Sequence, residues 1–493
     1  IEDWQVAFEA AGFKNAIIAK DPPTPQEDPG FDPDDVRYHT VRWTANTTRN
    51  AMGPSVSDPR SGEILDSDII WFHNHLRSYR NRLIIETGAA NPEARKLDLD
   101  DALIGEAVRA VIAHEIGHAL GLPHNMGASS AYPVDSLRSG SFTHRMGIAP
   151  TIMDYARQNY IAQPGDSGIR FIRKIGPYDL YAIEWGYRLT GAPTPEAEKT
   201  ILDGWIMEHA GDPVYRFGGS RVDPRTQTED LGDDPVEASS YGIANLKKVL
   251  PHLREWSSTP GEGYDDLDEL YGEFVGQWNR YIGHVTTLIG GVYETRKATN
   301  QAGPVYEPVP RERQEAAMGF LREQAFETPR WLLNEEILSR IEYTGAMERM
   351  RALQVGRLQQ LLDPSRMQRL SEAAAFDPDS AYTLRAMMED LREAVWSEVQ
   401  DGDVVGPFRR NLQRGHVERL GWLLTDEASV DGPFFGGGAP VNVSQSDIQA
   451  AARAELVAIR GLAAGQTGIR DAATRMHLRD IVARIDHLLD PED

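Results

Sequence analysis

Cysteine is absent from this 493-residue chain. That excludes disulfides, thiolate nucleophiles, iron–sulfur ligation and every cysteine-containing zinc site. A transition metal would have to sit on His, Asp or Glu. Positive charge is also short: 51 Lys and Arg stand against 75 Asp and Glu, a net charge of −24. Such a surface repels phosphate backbones and anionic lipid, which argues against nucleic-acid partners and polybasic membrane binding. Long apolar runs are missing too, and no stretch approaches the roughly 18 to 20 consecutive apolar residues of a membrane span. The hydrophobic fraction of 41% and charged fraction of 26% are those of a globular protein with enough chain for two to four domains.

The chain opens at Ile1, and IEDWQVAFEAAGF reads as an amphipathic helix with Trp4, Ala7, Phe8 and Ala11 on one face, not as a signal peptide. The sequence reads as a processed or trimmed piece of a longer precursor, and any address label would lie upstream of Ile1. Residues 15–76 carry strand signals in NAIIAKD, VRYHTVRWT and GEILDSDIIWF. From Asp101 to Leu120 the period becomes helical, with Gly121 at the C-cap position and Pro123 beyond it. Residues 125–176 show no sustained period, and PYDLYAIEWGY (177–187) reads as a short helix. After PTPEAEK the chain is mostly helix-period segments, broken by DPVYRFGGSRVDPRTQTEDLGDDP and VDGPFFGGGAPVN. The later helices are expected in NLKKVLPHLREW, DELYGEFVGQWNRYIGHVTTLIGGVYET, NEEILSRIEYTGAMERMRALQVGRLQQLL and MHLRDIVARIDHLL.

The residues that carry chemistry are VIAHEIGHALGLPHN. On a helix each residue advances by about 100°, so His114 and His118 lie one turn apart on nearly the same face and can reach one ion. Glu115 projects to the side, where it can touch a water at that ion without ligating it. His124 cannot share this face unless the chain turns back, which Gly121 permits and Pro123 enforces. Three neutral imidazoles leave a fourth position open, the pattern of a catalytic zinc site.

HEIGHALGLPH resembles the extended signature of the metzincin metalloendopeptidases. TIMDY follows, with Met153 29 residues beyond His124, and is similar to the Met-turn of the astacin and serralysin branches. Met146 lacks a tyrosine two residues on. The resemblance implies a catalytic Zn2+ on His114, His118 and His124, Glu115 as general base and proton shuttle, Met153 beneath the metal, and Tyr155 as an oxyanion donor. It implies an α+β fold: a metzincin-like catalytic domain over 1–190 (upper subdomain 1–121, lower 122–190), then a mainly α-helical region over 191–493. NAMGPSVSD (50–58) is similar to the edge strand over the cleft, and Arg157 and Tyr160 fall where metzincins build the S1′ wall, implying a polar or acidic preference there. TEDLGDDPVEASSYGIANLK and QWNRYIGHVTTLIGGVYET resemble stretches of a bacterial group of secreted metzincins with long helical C-terminal regions. That likeness implies an extracytoplasmic location and a protein or peptide substrate. Asn125 departs from the Glu of astacins and the Asp of adamalysins, so branch-specific rules do not carry over.

The same residues would also suit a narrow-specificity zinc peptidase or amidase, or a zinc-containing scaffold, although a scaffold has no need of Glu115. Elsewhere, His73 and His75 read as structural and His144 as a loop residue that could approach the cleft. Asp230, Asp233 and Asp234 offer oxygen ligands for Ca2+ but read more simply as helix caps. The sequence does not specify an oligomeric state.

Overall fold

A short amphipathic helix, α1 (Gln5–Ala10), opens the chain. Trp4, Ala7, Phe8 and Ala11 on its expected face are all buried. The computed structural model describes residues 1–220, 222–430 and 440–490, so most of VDGPFFGGGAPVN lies outside the described residues. By Cα proximity the chain forms two units. One comprises residues 1–221, 225–277 and 294–305, the other 222–224, 278–293 and 306–493. The unit that carries the zinc motif thus includes chain beyond residue 190.

In that unit five short strands follow α1: β1 (Val41–Thr44), β2 (Ala51–Met52), β3 (Ser55–Ser57), β4 (Ile64–Ser67) and β5 (Ile69–Phe72). The mixed sheet has order β1-β5-β2, with β1 parallel and β2 antiparallel to β5, and β3 and β4 form a separate hairpin. Ile69 and Trp71 of β5 face the core while its other residues are only half-buried, the alternation of a sheet covered on one side. NAIIAKD and the first half of VRYHTVRWT form no strand. Five prolines between Pro22 and Pro33 cannot donate to a ladder. Asp28, Asp32 and Asp35 each capture the backbone N–H two residues on, which turns the chain locally.

Next come α2 (His75–Arg82), prolonged by a π-type turn over Leu83–Thr87, and α3 (Asp101–Ala119), which carries the motif. Leu103, Ala107, Ala110, Val111 and Ile116 bury one stripe of α3 against Trp4, Trp71, Met153 and Ile183 in a single apolar cluster. Fully burying a side chain the size of Leu103, Val111 or Ile116 contributes about 1.5–3 kcal/mol, so the motif helix is anchored by its apolar face. The lower part contains α4 (Val134–Leu137), α5 (Gly140–Met146) and α6 (Pro177–Tyr187), followed by α7 (Pro195–Glu208), α8 (Pro235–Val249) and α9 (Leu253–Ser257).

Helix α10 (Asp265–Thr286) stops short of its expected end, because Gly290 takes a positive φ of 61° and Val292–Glu294 is extended. The second unit contains α11 (Arg311–Leu321), α12 (Glu335–Ile341), α13 (Ala346–Leu361), α14 (Pro364–Phe376), α15 (Leu384–Asp401), α16 (Pro407–Trp422), α17 (Asp447–Gly465) and α18 (Ala472–Leu489). The expected single helix from Asn334 is split into α12 and α13 at Gly345, φ 129°, a conformation only glycine adopts readily. The architecture is α+β, with a small mixed sheet and motif helix followed by a helical remainder.

Candidate metal centre and active site

Helix α3 ends in a Schellman motif. The N–H of Leu122 donates to the Gly117 carbonyl and that of Gly121 to His118, both at 2.9 Å, with Gly121 at φ 84°. This turn brings His124 back over the helix. Its Nε2 lies 3.1 Å from His114 Nε2 and 3.0 Å from His118 Nε2, and ligand atoms of the three residues lie within 4.8 Å of one another.

The opposite ring nitrogens set the tautomers. His114 Nδ1 lies 2.7 Å from the Ile152 carbonyl and His118 Nδ1 2.9 Å from that of Leu122. A carbonyl can only accept, so each Nδ1 donates and each Nε2 turns a lone pair inward. Burial, reinforced by the positive charge of Arg173, holds all three imidazoles below their ordinary pKa, His124 at about 4. Two inward lone pairs and the His124 Nε2 thus face one point, which a cation among them would stabilise. The donor set therefore fits a divalent metal with nitrogen preference, such as zinc.

Glu115 is buried, 8% exposed. The chain leaving β2 passes directly over it: a Cβ built on Gly53 would lie 2.6 Å from the Glu115 carbonyl oxygen. Burial pushes the Glu115 carboxyl up to about 7, against the opposing pull of Arg173, Arg157 and the Gly53 N–H. A nearby metal cation would draw it down again.

Below α3 the segment Thr151–Tyr155 is held by a carboxylate that the sequence analysis did not single out. Asp179, on the first turn of α6 and fully buried, accepts the Thr151 hydroxyl at 2.5 Å and the N–H groups of Ile152 and Gly176 at 2.8 Å. Its tie to Ile152 fixes the carbonyl that orients His114. Met153 is 1% exposed, and its sulfur fills the space a side chain at Gly117 would need. Tyr155 then stands beside the cluster, its ring 4.6 Å from His124 and 5.5 Å from His114 between centroids. Burial raises its phenol pKa while the Arg157 guanidinium, 4.7 Å over the ring, opposes the rise.

Asn125, noted in the sequence as a departure, is fully buried. It donates to the Arg216 carbonyl at 2.9 Å and accepts the Gly218 N–H at 2.9 Å. Chain beyond residue 190 is thereby tied to the residue after His124. Asp154 accepts the Ser129 and Ala156 N–H groups, and Arg173 donates to its carbonyl.

The other candidates lie elsewhere. His73 accepts the Trp43 indole N–H at 3.2 Å, His75 packs between Trp71 and Tyr79, and His144 is exposed on α5. Asp234 caps α8, Asp233 accepts the Val134 N–H, and Asp230 accepts the Ser129 hydroxyl, so these carboxylates have protein donors. Tyr160 is buried with its hydroxyl accepting the Leu231 N–H, which removes it from any open S1′ wall. A cavity of about 1690 Å³ opens beside the end of α3, lined by Leu122, Pro123, Tyr178, Tyr181, Trp185 and Phe217 among others.

No curated protein and no solved structure matches the chain. The family model that describes the Met-zincins matches residues 96–403, which include the three histidines, Glu115 and the Thr151–Tyr155 turn. With more than half its length matched and a converging His triad built on that stretch, the chain belongs to the Met-zincin family of metzincin-clan zinc metalloproteases.

Proposed function

We propose that this metalloprotease is an endopeptidase in which Glu115 acts as general base and Tyr155 as oxyanion donor. One observation carries the reading: the His124 Nε2 lies 3.1 and 3.0 Å from those of His114 and His118, with Tyr155 against the His114 and His124 rings and Glu115 on the adjoining helix position. His114, His118 and His124 would hold the zinc. When bound, it supplies Lewis acidity, polarising the scissile carbonyl and making water acidic enough to lose a proton near neutrality. Glu115 takes that proton and delivers it to the leaving amine. The Tyr155 hydroxyl donates a hydrogen bond to the oxygen on which negative charge develops.

Extended substrate adds along β2. That strand pairs with β5 on one side only, and Met52 is 42% exposed, an arrangement suited to strand addition. The aromatic cavity beside Leu122 and Pro123 would favour large apolar side chains in the substrate. We assign the protein to an extracytoplasmic compartment on its resemblance to secreted metzincins, which fractionation of the source cells would check.

The deciding experiment combines zinc quantification with mapping of cleavage sites for wild type and Glu115→Gln. Expected are about one zinc per chain in both and a loss on the order of 10²–10⁴ in turnover for the variant. Wild-type protein that holds one zinc yet cleaves nothing, or an equally active Glu115→Gln, would overturn the proposal.

A further inference from the structure

Arg157 lies two residues past Tyr155 and is anchored on two separate parts of the catalytic unit. Its Nε donates to Glu229 Oε1 at 2.7 Å, and its Nη1 to the Tyr79 hydroxyl at 2.8 Å. Tyr79 belongs to α2 and is buried. Glu229 is 6% exposed, and its second oxygen meets Arg82, also on α2, at 2.8 Å. One carboxylate therefore bridges two guanidinium groups, one on each oxygen, and the Arg157 contact is a charge-assisted hydrogen bond.

The backbone at Glu229 is unusual. Its φ is +64°, a left-handed conformation that residues with a Cβ rarely adopt outside constrained sites. Asn15 is the other non-glycine residue with positive φ among the described residues, and it is exposed. At Glu229 the left-handed turn aims a carboxylate inward, between Arg82 and Arg157. Held this way, Arg157 places its guanidinium carbon 4.7 Å over the Tyr155 ring, a cation–π contact within a partly desolvated site. Only 18% of the Arg157 side chain is exposed. The Tyr155 ring is thus bounded by His124 and by a cation that cannot drift, because its own partners are fixed.

We propose that Arg157, clamped by Glu229, is a positioning residue that sets the place of the Tyr155 ring, so that chain 72 residues further on tunes the oxyanion donor. The inference rests on the role assigned to Tyr155 above. An ion pair serving only to join the loop to α2 would stabilise the fold without acting through Tyr155, and the two cases separate experimentally.

The test uses the zinc-loaded full chain, a peptide substrate taken from its cleavage map, and 3-fluorotyrosine labelling, with the Tyr155 fluorine signal identified by its loss in Tyr155→Phe. In Arg157→Ala, kcat should fall on the order of ten- to a hundredfold, the cost of a misplaced group, while KM stays within about twofold and Arg157→Lys recovers part of the loss. Glu229→Gln, which keeps the shape, should shift kcat in the same direction by less and serves if Arg157→Ala folds poorly. Both variants should move the Tyr155 fluorine signal. In a Tyr155→Phe background, Arg157→Ala should cost less than about twofold more, because residues acting through one another are not additive. An unmoved fluorine signal, or the same loss of kcat in both backgrounds, would overturn the proposal while leaving the role of Tyr155 intact. Wild-type kcat in Tyr155→Phe alone would refute that role, and the positioning proposal with it.

Discussion

The sulfur of Met153 occupies the place of a missing side chain at Gly117: a Cβ built there would fall 2.2 Å from it and 3.0 Å from the Trp4 ring. The glycine in the middle of HEIGHAL is therefore a packing requirement between the motif helix and the turn beneath it. Gly117→Ala should improve helix propensity and still destabilise the protein, by about 1–3 kcal/mol for overpacking. Met153→Leu, close in volume, should cost less than about 1.5 kcal/mol. Thermal or urea unfolding of the two variants checks the order; a neutral Gly117→Ala would contradict the packing account.

Removing the metal should lower stability. The Nε2 atoms of His114 and His118 lie 3.1 and 3.0 Å from that of His124, an arrangement a cation among them would stabilise, and a ligand that binds the folded form at 1,000 times its Kd adds about 4 kcal/mol. Scanning calorimetry with and without a chelator should show a lower Tm in the stripped protein, restored by zinc. His124→Ala should abolish the difference.

Asp179 is expected to matter as much as a ligand although it touches no substrate. Asp179→Ala strands the Thr151 hydroxyl and the Ile152 and Gly176 N–H groups, at about 1–3 kcal/mol for each unsatisfied buried group. Because Ile152 orients His114 through its carbonyl, zinc affinity should also fall, about 10- to 100-fold as for other outer-shell partners. Competition against a chromophoric chelator measures this directly.

The helical unit should be acid-sensitive. His416 on α16 and His477 on α18 are 0% and 1% exposed, and burial depresses both to about 3 from 6.5. His416 Nδ1 accepts the Trp396 indole N–H at 3.1 Å, so a second proton there would face a donor. His477 Nε2 is 2.8 Å from Gln413 Oε1. With the folded pKa below the unfolded one, their contribution is intact above pH 6.5 and lost as pH falls from 6.5 towards 3. The slope is about 1.4 kcal/mol per pH unit for each histidine. Hydrogen exchange of α16 and α18 in the full chain at pH 7.5 and 5.5 should show faster opening at the lower value, and His416→Gln should flatten the difference.

Much of the site was legible because its spacing is local. His114, Glu115 and His118 share one helix, so the 3.6-residue period alone predicts their common direction, and Gly121 and Pro123 announce the turn that returns His124. TIMDY was legible by resemblance. Asp179, Gly53 and Glu229 were not, because an Asp on an ordinary helix, a Gly in a strand region or a Glu in an acidic loop carries no local mark of what it will meet. Strand signals before Val41 misled for a related reason: an alternating pattern becomes a strand only where a partner lies alongside, and the proline-rich chain there turns on its own aspartates.

By itself, then, the sequence determined the chemistry and its carrier: a cysteine-free metal site on three histidines, a neighbouring glutamate, and a helix whose apolar stripe anchors it. The tertiary structure decided which distant residues complete that site. Asp179 fixes the turn that orients His114, Asn125 ties in chain beyond residue 190, and Glu229 holds Arg157 over Tyr155. The reason is physical: helix period and turn residues act over a few positions and can be read along the chain, whereas satisfying a buried carboxylate or guanidinium depends on donors that only folding brings within hydrogen-bond distance.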